Sequence, residues 1–485
     1  MNQFETSTQP KKKKFIPVII IAVILVAIIG GSVYASRSVI SNIFQEKFAK
    51  PEDYYHRVEN NNINNDIDNS IKSYSTAYKL ITSKKYSSTA SIHLDFSDEL
   101  KDQLVKINSK LNQINSAELT YKSSFDNSKE AVTLAAKIND ANLVSGNGFI
   151  DFDNAKIYGQ IPEISDSYLD FSSYLNSEEY DVNIDSLKSL GSFSDLYPEP
   201  EKLESILKKY SNLFVNSVSN VEKTKTTITA NSITQDCIGL TVKMSGQELY
   251  DSIHTILETA KDDKDIQSVI DDIINYIKSI DSSSDLNDVT SKSYYEDIDS
   301  LIQELEESKE EFTKYEDLLD MFVYVDNKGN IIGRTITITA DKTYTMEYKR
   351  AIKATSLGIE STIKEGDKVV FLVKGKGSST LTEFSGDFVI TFPTEEVTIN
   401  ATVSNGDVSK LLDGTFNGDI TLTTTYKDLE DYKLNLSVKT SLLSSLVKVE
   451  ALDKENSCGI LTLKQESTDK ANIDFPDTNS SFIDV

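Results

Sequence analysis

From Met321 onward the chain alternates apolar and polar residues almost without interruption, and this period of two constrains the fold more than any other feature. In FVYVDNKGNIIGRTITI two such runs flank Asp326-Asn-Lys-Gly329, whose glycine supplies the positive φ of a tight hairpin turn. VTINATVSNGDV, GDITLTTTY and YKLNLSV alternate in the same way. A run of this kind buries one face and hydrates the other, so runs joined by short turns predict a long antiparallel meander. SGDFVITF and NGDITLTT share a Gly-Asp-apolar rhythm, echoed more weakly by VSGNGFIDF, which reads as successive hairpins and not as a solenoid of fixed period.

Upstream, strands are mixed with helices. Pro51 opens a helical pattern in which Ile63, Ile67, Ile71, Tyr74, Tyr78 and Ile81 form one stripe. Ile92, Leu94 and Phe96 alternate as a strand with one buried face, and Leu100, Leu104, Ile107, Leu111 and Ile114 then take helical spacing behind a Ser97 or Asp98 cap. ELTYKSSF, AVTLAAKI, GFIDF and AKIYGQI continue as strands, the second with Val132, Leu134, Ala136 and Ile138 inward. A helix over 200–218, the strands KTTITA and CIGLTVKM, and three helices follow; the first of the three opens on the capping box Ser245-Gly-Gln-Glu248.

The other strong signal lies at the start. Four lysines, Lys11 to Lys14, precede 21 residues from Phe15 to Ala35 that are apolar enough to cross a bilayer. The positive-inside rule puts the tail in the cytoplasm and everything after about residue 36 outside. Basic flank, apolar run and Val33-Tyr34-Ala35 also fit a signal cleaved after Ala35, in which case the product is secreted. The chain therefore divides into a basic cytoplasmic tail, 1–14; a single transmembrane helix, 15–35; a helix and antiparallel-sheet region, 51–320, with acidic helices in 246–320; a β-rich region, 321–470; and a C-terminal tail, 471–485. The expected fold class is α+β: a transmembrane helix followed by an exported domain dominated by curved antiparallel sheet with packed helices, by analogy a lipid-carrier half-barrel. Two successive α+β domains meeting near residue 320 are the alternative.

The net charge of -26 disfavours nucleic acid, whose recognition draws on clustered Lys and Arg. Residues 246–320 hold 22 Asp and Glu against 6 Lys, a composition of solvated helix faces or of a surface for cationic partners. Arg is scarce: Arg37, Arg57, Arg334 and Arg350 are the whole set.

Catalytic patterns are lacking. There is no G-x-S-x-G elbow, Walker loop or H-E-x-x-H, and His56, His93 and His254 lie far apart without ligand spacing. Ser205-Ile-Leu-Lys208 and Ser445-Leu-Val-Lys448 match S-x-x-K but come without the S-D-N and K-T-G elements that give that motif its chemistry. Asp326 to Gly329 lacks the closing Glu of a calcium loop. Pairs such as Glu395 with Glu396 and Asp271 with Asp272 are commonplace in so acidic a chain. No cofactor, metal or catalytic residue is expected. Cys237 and Cys458 stand in similar contexts, CIGLTV and CGILTL, and either form a disulfide across adjacent strands or stay as two buried thiols.

KKKK with one apolar segment, PEDYYHRVENNNINNDIDNSIKSY, the acidic helices QELYDSIHTIL and DKDIQSVIDDII, and FVYVDNKGNIIGRTI together resemble a clostridial-type group of Gram-positive, single-pass membrane-anchored proteins of unknown function. The resemblance implies an exported domain and transfers no catalytic residue. The expected function is a membrane-tethered extracellular binding domain, not an enzyme, for an apolar or cell-envelope ligand. A structural or protein-interaction component of the envelope is the alternative, and an enzyme acting on wall polymers is the third reading.

Overall fold

The computed structural model describes residues 49–172, 193–280, 291–380, 382–408, 415–426, 431–477 and 480–484. Pro51 sits in the first turn of α1 (Pro51–Thr82), where its missing N–H is not needed; 32 residues give this helix a length of about 48 Å. It runs into β1 (Lys85–Phe96), and α2 (Asp98–Ile107) follows behind the Ser97 cap. A meander comes next: β2 (Ser116–Asp126), β3 (Lys129–Ile138), β4 (Ala141–Asp151), β5 (Lys156–Gln160) and β6 (Tyr168–Asp170). Asn127, Asn139 and Asp140 take left-handed backbone at its turns, a conformation short polar side chains tolerate.

Helix α3 (Pro200–Ser217) leads to the hairpin β7 (Asn220–Ala230) and β8 (Ile233–Met244). The acidic region supplies α4 (Gly246–Lys261), α5 (Lys264–Ile280), α6 (Ser291–Glu307) and α7 (Lys309–Thr313). Strands then run to the end of the chain: β9 (Leu319–Val325), β10 (Ile331–Thr339), β11 (Thr343–Lys353), β12 (Ser356–Glu365), β13 (Lys368–Ser379), β14 (Glu383–Phe392), β15 (Val397–Asp407), β16 (Gly418–Thr424), β17 (Tyr432–Ser441), β18 (Ser444–Asp453), β19 (Asn456–Thr468) and β20 (Phe482–Asp484).

All twenty described strands belong to one sheet. Strands β7 to β19 pair with their sequence neighbours, β19 pairs with β1, and β1 to β6 complete the row. Every pairing is antiparallel except the last, where β20 adds parallel to β6. Strand β9 pairs with both β8 and β10, so the sheet passes without a break through residue 320.

Directly opposed residues share a face, so the register sorts the sheet into two sides. One side is mainly apolar, with Lys223 and Lys225 on β7, Arg334 on β10 and Arg350 on β11 as charged members. Over β8, β9 and β10 it is covered by helices: Tyr54, Tyr55 and Val58 of α1, Phe214 and Val215 of α3, Leu249 and Ile253 of α4, and Phe312 of α7 pack with Leu240, Val242, Met321 and Val323. Each such side chain, fully buried, contributes about 1.5–3 kcal/mol. On the other side, β7 and β8 curl back over β11 and β12, enclosing Ile228, Ala230, Cys237, Ile332 and Ala351. Gly358 permits this closure, since a Cβ there would lie 2.0 Å from the Ala230 carbonyl oxygen.

Two expectations need correction. No helix among the described residues is long and apolar enough to cross a membrane, and the 15–35 segment lies outside those residues. The helices also do not line the hollow of a half-barrel. They cover one end of a single twenty-stranded sheet, because β1 attaches to β19 and prolongs the sheet well past the helical layer. The 471–485 segment is more than a tail: Phe475 and Phe482 join Phe149, Tyr158 and Tyr168 in an aromatic cluster, with Lys129 Nζ 4.6 Å above the Phe475 ring.

Candidate functional site

The apolar side continues beyond the helices. In one row of opposed residues Ile138, Ala117, Leu94, Leu461, Val449, Leu436, Ile420, Val403, Gly386, Gly377, Leu357 and Ile352 follow one another from β3 to β11. At about 4.8 Å per strand this uncharged row is roughly 53 Å long. The next row holds Val144, Ala136, Leu119, Ile92, Leu463, Val447 and Val438. Neither row contains Asp, Glu, Lys or Arg.

Exposure separates the two stretches of this face. Leu240 and Val323, under the helices, are 0% exposed, and Leu357 and Val403 in the longer row are buried at 6% and 9%, whereas Ile92 is 51%, Leu119 46% and Leu463 38% exposed, so the open stretch lies over β1, β2 and β19. At the margin of the helical layer lies a cavity of about 100 Å³ lined by Arg334, Ile336, Met346, Tyr348, Ser361 and Ile363. Arg334 is held there by Glu59 of α1 through two hydrogen bonds of 2.6 Å. Burial alone would lower the Arg334 pKa; the Glu59 carboxylate outweighs it and raises the value. Burial, and then the Glu59 charge, push the Tyr55 phenol well up.

The opposite side is charged and internally paired. Lys137 donates to Glu118 at 2.9 Å, which lowers the Glu118 pKa, and His93 lies 3.0 Å from Asp95 and 3.5 Å from Glu118. Over β1, β2 and β3 the sheet thus presents ion pairs on one side and hydrocarbon on the other.

The remaining candidates do not assemble into a catalytic centre. The three histidines stay apart: the His56 ring is 2.7 Å from the Val218 carbonyl oxygen and His254 lies 3.6 Å from Glu306, both far in the fold from His93 on β1. Lys208 is taken up by Asp68 and Glu204, and Ser445 and Lys448 point to opposite sides of β18. Asp326 accepts hydrogen bonds from the Lys328 and Asn330 amides and from the Asn330 side chain, which is a turn. Among the described residues no three His, Cys, Asp or Glu are grouped to hold a metal ion. Cys237 and Cys458 are free thiols on β8 and β19, eleven strands apart in sheet order, so the structure does not bring them together. Burial, and then Asp236, push the Cys237 thiol up to about 11. The acidic region is used as cover, its Leu249, Ile253, Leu305 and Phe312 facing the sheet.

No known protein family, curated protein or solved structure matches the chain.

Proposed function

We propose that this chain is a non-enzymatic binding protein that holds lipid acyl chains along the uncovered apolar face, working at the outer surface of a membrane. The carrying observation is the pair of uncharged rows from β4 to β11, with Ile92, Leu119 and Leu463 facing solvent. Those side chains neither donate nor accept hydrogen bonds, and the strand backbone beneath them is paired on both sides. The chemistry they recognise is hydrocarbon, each buried methylene being worth about 0.8 kcal/mol. An acyl chain laid across the strands meets the same surface at every step, which suits a ligand longer than it is wide. The location rests on the sequence: a lysine cluster followed by the apolar run 15–35.

The test is a map of contact. The full chain is reconstituted into vesicles containing a phospholipid with a diazirine at the end of one acyl chain, irradiated, digested and sequenced by mass spectrometry. Adducts on Ile92, Leu94, Leu119, Leu461 and Leu463 are expected. Adducts confined to residues 15–35, or equally frequent at Lys137, Thr462 and Lys448 on the charged side, would overturn the reading.

A further inference from the structure

We propose that the strand ends of β1 to β5, together with α2, form a rim that inserts into the surface of a zwitterionic phospholipid bilayer, where acyl chains pass onto the apolar face; the entry role rests on the function proposed above, the bilayer contact does not. Among the described residues the rim holds the most exposed large apolar side chains: Ile107 at 79%, Ile164 at 78% and Leu143 at 60%, with Val105, Val144 and Ile161 beside them.

The register gathers these residues at one strand end. Asp95 opposes Ser116, Ala117 opposes Ile138, Ala136 opposes Val144, and Asn147 opposes Gln160. Ser145 fastens the turn after β5 by donating its amide and hydroxyl to Glu163 at 2.9 and 2.8 Å. Helix α2 leaves β1 at this same end, and its Leu100 lies near Gly459 of β19. Val144 also ends the row that contains Ile92 and Leu463, so the rim is continuous with the binding face.

What covers the rim is indicated by where the rest of the chain joins the fold. The Ala49 carbonyl accepts from Lys223 Nζ at 2.8 Å. The opposed residues from Lys223 lead through Leu240, Val323 and Arg334 to Ile390, two positions beyond Phe388 toward the C-terminal end of β14. The row from Phe388 reaches Phe96, at the C-terminal end of β1. Alternating strand directions make these the same edge of the sheet. Helix α1 descends from there, Asn62 reaching the Gly329 carbonyl at the opposite edge, and feeds β1 from that far side. The segment before Ala49, which carries the apolar run 15–35, therefore joins the fold at the edge that bears the rim.

Charge selects the bilayer type. The whole chain carries -26, yet from Ser97 to Asn115 Asp98, Glu99 and Asp102 are balanced by Lys101, Lys106 and Lys110. The turns after β3 and β5 add Asp140, Glu163 and Asp166, so the rim as a whole is acidic and is repelled by anionic lipid; its apolar side chains fit a zwitterionic surface, where insertion to about 5–10 Å is not opposed by like charge.

The natural chain has no Trp, so Ile107→Trp and Ile164→Trp each install a single reporter. Val389→Trp, exposed on the charged side of β14, is the reference. Each full-length variant is reconstituted in phosphatidylcholine vesicles with and without brominated acyl chains. We expect emission from positions 107 and 164 to shift to the blue and lose most of its intensity to the brominated lipid, with position 389 unchanged. Unquenched emission at both rim positions, or equal quenching at 389, overturns the proposal. Rim quenching without diazirine adducts on the apolar face would leave the bilayer contact standing and remove the acyl-binding reading; adducts without rim quenching would do the reverse.

Discussion

Glu59 and Arg334 show how one residue pair sets the limit of the helical layer. Both side chains are almost fully buried, and their two hydrogen bonds tie α1 to β10. Taking two charges from water costs several kcal/mol per ion, offset here by bidentate geometry. We therefore predict that Glu59→Gln, which leaves the guanidinium without a counter-charge, lowers stability by about 3–5 kcal/mol. Glu59→Gln with Arg334→Met should recover most of that loss in chemical denaturation. No local pattern points to this pair: Arg334 sits in an alternating strand and Glu59 in an acidic helix, 275 positions apart.

At the scale of elements, local signals served well. Pro51 and Pro200 open their helices, Ser245 and Glu248 form the capping box, and Ile63, Ile67 and Ile71 are buried. Ser245→Ala should cost about 1 kcal/mol, read as a lower midpoint in urea. Asp263 just before α5 is buried; burial raises its pKa, but Lys209, Tyr210 and the Asp265 and Ile266 amides outweigh that and hold it low. A depressed carboxyl stabilises fully above its unfolded value, near 3.9, and loses that contribution as pH falls through the folded value. Thermal melts from pH 5 to pH 2 should therefore fall more steeply for the natural chain than for Asp263→Asn; parallel slopes would refute this. Less legible was the stripe of α2. Leu100, Leu104 and Ile107 have helical spacing, yet Ile107 stands in solvent, because helical periodicity marks a side without supplying a partner for it.

For the whole molecule, the antiparallel meander was readable but its extent was not. Alternation put Ile92, Leu94 and Phe96 on one side of a strand; that Ile92 stays half exposed depends on pairing with Leu463, some 370 positions away. A count of elements would have warned of it. A helix about 10 Å wide covers roughly two strands, and since some of the helices pack on other helices, the layer lies over β8, β9 and β10 of the twenty. Because Ile92 is half exposed, Ile92→Asp should change stability by less than about 1 kcal/mol, while Val323→Asp, an unpaired charge in the core, should prevent folding. Both are read by circular dichroism and denaturation. Hydrocarbon binding on the exposed face is the property from which the proposed function follows. Adjacent positions on β19 test this most directly: Leu463→Trp reports from the apolar side and Thr462→Trp from the charged side. With brominated stearic acid added to the reconstituted full chain, saturable quenching is expected at 463 and none at 462. Equal quenching at both positions, or none at 463, would contradict it.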